Sequence, residues 1–299
     1  MIKKKLIDQL RVPPGKKVRL QDYDPGWAQT PELKEAGKEA VKQRAAEILE
    51  ANLAELATAQ ELLWASDIHS ILVVLQAMDA AGKDGIIKHV MSGVNPQGCQ
   101  VFSFKKPSDE DLDHNFLWRY MRCLPERGRI GIFNRSYYED VLVVKVHPEL
   151  LQRQKLPSGK RGNGFWQKRY EDINTFEHHL VRNGTLILKF FLHISKEEQR
   201  ERFLARLENP DKHWKFSEAD LAERAFWDEY TKAFEDMLSA TSTKWAPWYV
   251  IPADNKWVSR TVVADILTTG IKSLHLEFPK VSEEKRMALV EAKKKLEQE

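Results

Sequence analysis

Cysteine is nearly absent: Cys99 and Cys123 are the only two in 299 residues, and neither belongs to a Cys-x-x-Cys pair. A disulfide scaffold and a thiolate metal site are therefore excluded, and a reducing compartment is the expected setting. Long apolar runs are missing as well, none approaching the ~20 residues that a membrane span needs. The lysines at positions 3–5 have no apolar stretch behind them, so no secretory leader is expected. Charge of one sign is in short supply: 47 basic residues against 44 acidic leave +3, too little to grip nucleic acid or a membrane by bulk attraction. The nine histidines do not cluster, and no Ser-His-Asp order stands out. These absences leave a soluble, cytoplasmic protein with no nucleic-acid or membrane partner, in which any anion site has to be built locally.

At this length roughly three quarters of the unfolded chain's surface can be buried, so a substantial core is available. Residues 12–27, with Pro13-Pro14-Gly15 and Pro25-Gly26, read as an extended arm. From Thr30-Pro31 to Ala65 the chain turns Ala-, Glu- and Leu-rich, and Ile48, Leu49, Leu53, Leu56 and Leu63 recur at near-helical spacing. This segment, 1–65, is expected to pack on the core or on a second subunit, and its long helix points to a homo-oligomer, a dimer or tetramer.

Five short apolar runs, 71–76, 100–104, 130–133, 185–192 and 248–251, are separated by long helical stretches. Parallel pairing through crossover helices is the economical arrangement. The fold class is then α/β, a three-layer sandwich with a parallel sheet of about five strands over residues 66–275. Between the last two strands, 195–238 opens on the capping-box signature Ser195-Lys196-Glu197-Glu198 and carries many arginines and aromatics, including Arg202 and Arg206 on one helical face. A charged excursion from strand ends is where a lid would stand. Residues 152–164 form a basic loop with Lys155, Lys160 and Arg161, and 276–299 a charged C-terminal helix.

The most informative stretch is Ala77-Met78-Asp79-Ala80-Ala81-Gly82-Lys83-Asp84, placed between a β-branched strand and a helix. A phosphate loop has the form G-x-x-x-x-G-K-[ST]; here Ala77 replaces the first glycine and Asp84 the hydroxyl residue. Such loops surround an anion with backbone N–H groups at a helix N-terminus, and a lysine adds a full charge. Ala80, Ala81 and Gly82 are small enough for that approach, and Lys83 would be the phosphate lysine on a solvent-facing turn. Two carboxylates, Asp79 and Asp84, beside a phosphate chain call for a hard cation between them, and Mg²⁺ suits oxygen ligands. The same residues also suit a plain strand-to-helix turn, with Asp84 as a helix N-terminal acid. After the third strand comes Asn134-Arg135-Ser136-Tyr137-Tyr138-Glu139-Asp140. Arg135 offers phosphate a planar donor fork, or pairs with Glu139 or Asp140 to hold a helix start.

Taken together, these residues resemble the polyphosphate kinase 2 family from about Arg19 to Leu274. Residues 77–85 look like its Walker A loop and 133–143 like its Walker B region. Ile194-Ser195-Lys196-Glu197-Glu198-Gln199 and Lys212-His213-Trp214-Lys215 look like parts of its lid module. The resemblance implies a P-loop kinase fold and Mg²⁺-dependent, reversible transfer of a terminal phosphate from inorganic polyphosphate to a nucleotide. Lys83 would then bind the transferring phosphate, while Asp79 and Asp84 hold Mg²⁺ or orient the acceptor. Arg135 would steady the phosphate chain, with Arg206 and Lys212 closing from the lid. Asn134 stands where such a strand generally ends in an acid and offers a metal no carboxylate. With Glu139 near the acceptor, the motif resembles the subgroup that phosphorylates both AMP and ADP. Two other readings suit the loop alone: an ATP-dependent kinase of a nucleotide or small molecule, and a noncatalytic nucleotide- or polyanion-binding regulator.

Overall fold

The computed structural model describes residues 1–159 and 161–299; Lys160 and the side chains of Asn163 and Lys215 lie outside the described residues. Its centre is a parallel sheet of β1 (Ser70–Ala77), β2 (Cys99–Ser103), β3 (Ile130–Asn134), β4 (Thr185–His193) and β5 (Trp248–Pro252), in the order β2-β3-β1-β4-β5. All five expected strands are present and parallel. A parallel sheet must be covered on both faces, and the strand sequences answer that need by being apolar at odd and even positions alike.

Ile71, Val73 and Leu75 of β1 face one side with Leu188, Phe190 and Leu192 of β4. There they meet helix α1 (Lys38–Ser66) through Leu56 and Leu63, α2 (Lys83–Val90) through Ile86, and α6 (Lys256–Lys272) through Val262, Val263 and Leu267. Leu72 and Val74 face the other side with Phe133 and Phe191. They meet α3 (Asn163–Arg182) through Ile173, and α5 (Trp227–Thr241) through Phe234, Met237 and Leu238. Three layers result, with β1 at the centre.

The N-terminal segment lies on the core of its own chain. Val12 N donates to Trp248 O at 2.8 Å, Val18 N to Ser239 Oγ at 2.8 Å and Leu20 N to Glu235 Oε1 at 2.8 Å. Asp265 of α6 accepts from both Ile2 N, at 2.8 Å, and Asn52 Nδ2 of α1, at 3.1 Å. The stretch 195–238, expected to form a lid, divides in two. Helix α4 (Lys196–Leu207), a 3₁₀ turn Pro210–Lys215 and a short helix Glu218–Glu223 rise beyond the strand ends, whereas α5 belongs to the core because its apolar face is buried against the sheet and α3. Ser195 Oγ caps α4 by accepting from Glu198 N at 3.1 Å, one half of the expected capping box, while Ser195 N donates to Asp254 Oδ1 at 2.7 Å rather than to Glu198. Helix α7 (Glu283–Leu296) buries no residue. Among the described residues no helix is long and apolar enough to cross a membrane.

Candidate functional site

Ligands of open parallel sheets sit beyond the carboxyl ends of the strands, where the strand order reverses. Here that place is flanked by the turns that follow β1 and β3. After β1 the chain turns through residues 78–82 and enters α2 at Lys83, with Gly82 at φ 111° and Ala80 at φ 61°. A left-handed backbone is free for glycine and strained for alanine. Lys83 is half-buried rather than solvent-facing: its Nζ donates to Ala77 O at 3.0 Å and to Met78 O at 3.5 Å. Burial lowers its pKa first, and Arg135 adds to the effect, against the pull of Asp79, Glu139 and Asp84.

The lid holds this turn from outside. Arg202, only 8% exposed, donates Nη1 to Ala80 O and Ala81 O at 2.9 Å each, Nη2 to Ala253 O at 2.6 Å and Asp254 O at 3.1 Å, and Nε to Glu198 Oε1 at 2.8 Å. A guanidinium has five N–H donors, and all five are spent on the protein. Gln199 Nε2 donates to Asp79 O at 3.0 Å. Arg206, one turn further along α4, lines the cleft as Arg202 does but stands 3.7 Å from Asp220 of the short lid helix. The two arginines that share a helical face thus separate into a strut and a candidate ligand.

After β3, Asn134 Nδ2 donates to Asp84 Oδ1 at 2.9 Å, tying the two turns together. Arg135 has φ 64° and bridges two acids: Nη2 meets Asp79 Oδ1 at 3.0 Å and Nη1 lies 3.6 Å from Glu139 Oε2. Of the two partners open to it from sequence, Glu139 is the one it meets. Asp140 turns away and takes Gln154 Nε2 at 2.8 Å and Arg169 Nη1 at 3.5 Å. Burial raises the Glu139 carboxyl, and Arg135 and Lys83 oppose the rise.

A cleft of about 780 Å³ runs over both turns, and among the described residues nine lysines and arginines line it against three aspartates. The cleft is therefore strongly positive although the chain is nearly neutral. Asp79, Ala80, Ala81, Gly82, Lys83, Asp84, Asn134, Arg135, Arg206 and Lys212 all line it. Glu139 lines a second cavity of about 260 Å³, walled by Met78, Trp227, Tyr230 and Phe234. Asp79, Arg135 and Asp220 border both cavities and mark their junction.

Residues 38–279 match the family model described as Polyphosphate kinase 2 (PPK2). The chain belongs to the polyphosphate kinase 2 family. It is 53% identical over 251 residues to an ADP-polyphosphate phosphotransferase of Rhodopseudomonas palustris, covering 84% of this chain and 87% of that one. It is 45% identical over 273 residues to an AMP/ADP-polyphosphate phosphotransferase of Meiothermus ruber, covering 91% and 96%. Among solved structures, polyphosphate kinase 2 from Arthrobacter aurescens superposes with a TM-score of 0.84 at 40% identity, over 96% of each chain.

Within this polyphosphate kinase 2 chain, four cleft cations escaped the sequence reading: Lys105, Lys106, Lys256 and Arg260. Each had a signal. Lys105-Lys106 follows the β2 run directly, at a strand carboxyl end, and Lys256 and Arg260 are four apart on the first turns of the helix after β5. Among the described residues no group of three or more His, Cys, Asp or Glu forms a metal cage. Asp79 and Asp84 fit a looser site: each meets the protein through Oδ1, to Arg135 and Asn134 respectively, at the edge of the same cleft. One or two carboxylates, with waters and substrate phosphates making up the rest, is how Mg²⁺ is commonly held.

Proposed function

We propose that the protein transfers the terminal phosphate of inorganic polyphosphate to AMP and ADP, giving ADP and ATP, reversibly and with Mg²⁺. The observation that carries this reading is the pairing of a large, strongly cationic cleft with a small, partly aromatic cavity that meets it at Asp79 and Arg135. A long polyanion suits the first and a nucleotide the second.

In this reading a phosphate oxygen of the acceptor enters from the small cavity and attacks the terminal phosphorus of the polyphosphate in line. The new P–O bond forms as the bond to the rest of the chain breaks, and the leaving electron pair stays on the shortened polyphosphate. Lys83, Arg135 and Arg206 gather positive charge around the transferring group, where preorganised cations stabilise developing charge most. The attacking oxygen is already ionised near neutral pH, so no strong base is required. Asp79, bonded to Arg135, orients that guanidinium between the two substrates. Ala80, Ala81 and Gly82 let the chain's phosphates approach the backbone, and Lys212 closes over them from the lid. Glu139, half-buried in the acceptor cavity beside Arg135, bears on which nucleotide is accepted. Mg²⁺ bound by Asp79 and Asp84 would neutralise charge between these carboxylates and the phosphate oxygens. A cytoplasmic location and a homo-oligomer, a dimer or tetramer, complete the reading, and analytical ultracentrifugation measures the latter.

The test is purified protein with Mg²⁺ and long-chain polyphosphate, given AMP or ADP separately, with nucleotides separated by chromatography. ADP from the first reaction and ATP from the second are expected. Turnover only with ATP and another acceptor would establish an ATP-dependent kinase instead, and no turnover with any donor would leave a polyanion-binding regulator.

A further inference from the structure

Beneath the turn that carries Arg135 lies a fully buried ion pair that the transfer chemistry does not use. Lys189, midway along β4, and Glu177 of α3 are both 0% exposed, with Nζ 2.6 Å from Oε2. Lys189 Nζ donates further to Thr241 O at 2.7 Å and to Tyr138 OH at 2.9 Å. Glu177 Oε1 accepts from Tyr137 OH at 2.8 Å and from Tyr138 OH at 2.7 Å.

Stability is a weak reason for such a pair, because well-packed apolar residues of similar volume commonly serve as well or better. What sets this pair apart is where its remaining hydrogen bonds go. Tyr137 and Tyr138 sit between Arg135-Ser136 and Glu139, so both hydroxyls are anchors under one short segment. That segment needs anchoring. Arg135 holds a left-handed backbone at φ 64°, a conformation that persists in a non-glycine residue only when its surroundings impose it. Arg135 N donates to Leu75 O at 3.1 Å and Gln76 Nε2 to Ser136 Oγ at 3.0 Å, which fixes the segment to β1. The tyrosines fix its other end to α3 and β4.

We infer that Glu177 and Lys189 are positioning residues for phosphoryl transfer, acting through Tyr137 and Tyr138 to hold Arg135 at the junction of the two cavities. The inference rests on the proposed role of Arg135. Two paired substitutions test it. Tyr137→Phe with Tyr138→Phe leaves the ion pair and cuts its link to the turn, and Tyr138→Phe alone is the milder form should the pair fold poorly. Glu177→Leu with Lys189→Met removes both charges together, so that no lone charge stays buried.

In variants shown to be folded by circular dichroism and thermal melting, kcat with AMP should fall between about tenfold and a hundredfold, the cost of a misplacement near 1 Å. KM for polyphosphate should stay near the parental value, because the other cleft cations are untouched. Placed in an Arg135→Ala background, the same changes should cost nothing more, since residues acting through one another are not additive. A folded variant with parental kcat, or a full further loss on top of Arg135→Ala, overturns the inference. Parental activity in Arg135→Ala itself refutes the reading of the site. An inactive Arg135→Ala beside fully active tyrosine variants refutes the positioning role alone.

Discussion

The turn after β1 and the turn after β3 face the same cleft, and each strains one non-glycine residue into the left-handed region, Ala80 at φ 61° and Arg135 at φ 64°. They are held from opposite directions. The first is gripped from above, by lid side chains that bond its backbone carbonyls: Arg202 to Ala80 and Ala81, Gln199 to Asp79. The second is gripped from below, by core side chains that bond its tyrosine hydroxyls. The loop proposed to cradle the donor is therefore coupled to the lid, whereas the arginine at the junction is coupled to the core. Cations close together in the sequence of one helix, such as Arg202 and Arg206, divide by the same criterion: one spends all five donors on the protein, the other stands beside Asp220 in the cleft.

The strongest way to break this comparison is through the first turn's own cation. Lys83→Ala should lower turnover by about a hundredfold to a thousandfold, the range for losing one preorganised donor, with an unchanged circular dichroism spectrum. Near-parental turnover would remove the phosphate-loop role from that turn. Arg202 and Arg206 sharpen the division within α4. Arg202→Ala strips partners from four carbonyls and a carboxylate, and should lower unfolding free energy by about 3 kcal/mol in urea titrations. Arg206→Ala should leave the urea midpoint in place and lower turnover. The reverse pattern would exchange strut and ligand.

A smaller effect tests the second turn's surroundings. Burial pushes the Asp140 carboxyl up to about 6 despite Arg169 and Arg119. The native state thus keeps a proton that the unfolded chain has already lost between about pH 4 and that value, so this group's contribution to stability falls as pH rises through the window. Asp140→Asn removes the fall, and the variant's melting temperature should climb more steeply from about pH 4 to about pH 6 than the parent's. Smallest of all, Ala80→Gly relieves the left-handed strain but loosens the unfolded chain, and should stabilise by less than about 1 kcal/mol. The urea midpoint measures it, and a clear loss would show that the methyl group matters at the first turn.

The strands were legible because a parallel sheet demands unbroken apolar runs, and Lys83, Asp79, Asn134 and Arg135 because they follow such runs at strand ends. Arg202 was less so: four of its five bonds go to segments far away in sequence and leave no local pattern, and its spacing from Arg206 suggested a shared role that tertiary structure divides. The burial of α5 was hard to read for a similar reason, since its charges stand out in the sequence while its buried face, with Phe234, Met237 and Leu238, is set by the sheet and α3. Lys189 did carry a signal. A lysine inside the run Thr185–His193 requires a buried counter-charge, although nothing local names Glu177 as the partner.

The N-terminal arm has a consequence for how this chain is made. Its docking partners, Glu235, Ser239, Trp248 and Asp265, lie in the last third of the sequence. During synthesis at roughly 5–20 residues per second, the arm therefore leaves the ribosome at least ten seconds or so before the surface that receives it exists. Leu10, Val12, Val18 and Leu20, all buried in the finished molecule, spend that interval in water. The arm, made well before its docking surface, is among the last parts to be folded, and a chain halted before β5 exposes an apolar strand edge and an undocked apolar arm together, the pairing that invites association between nascent chains.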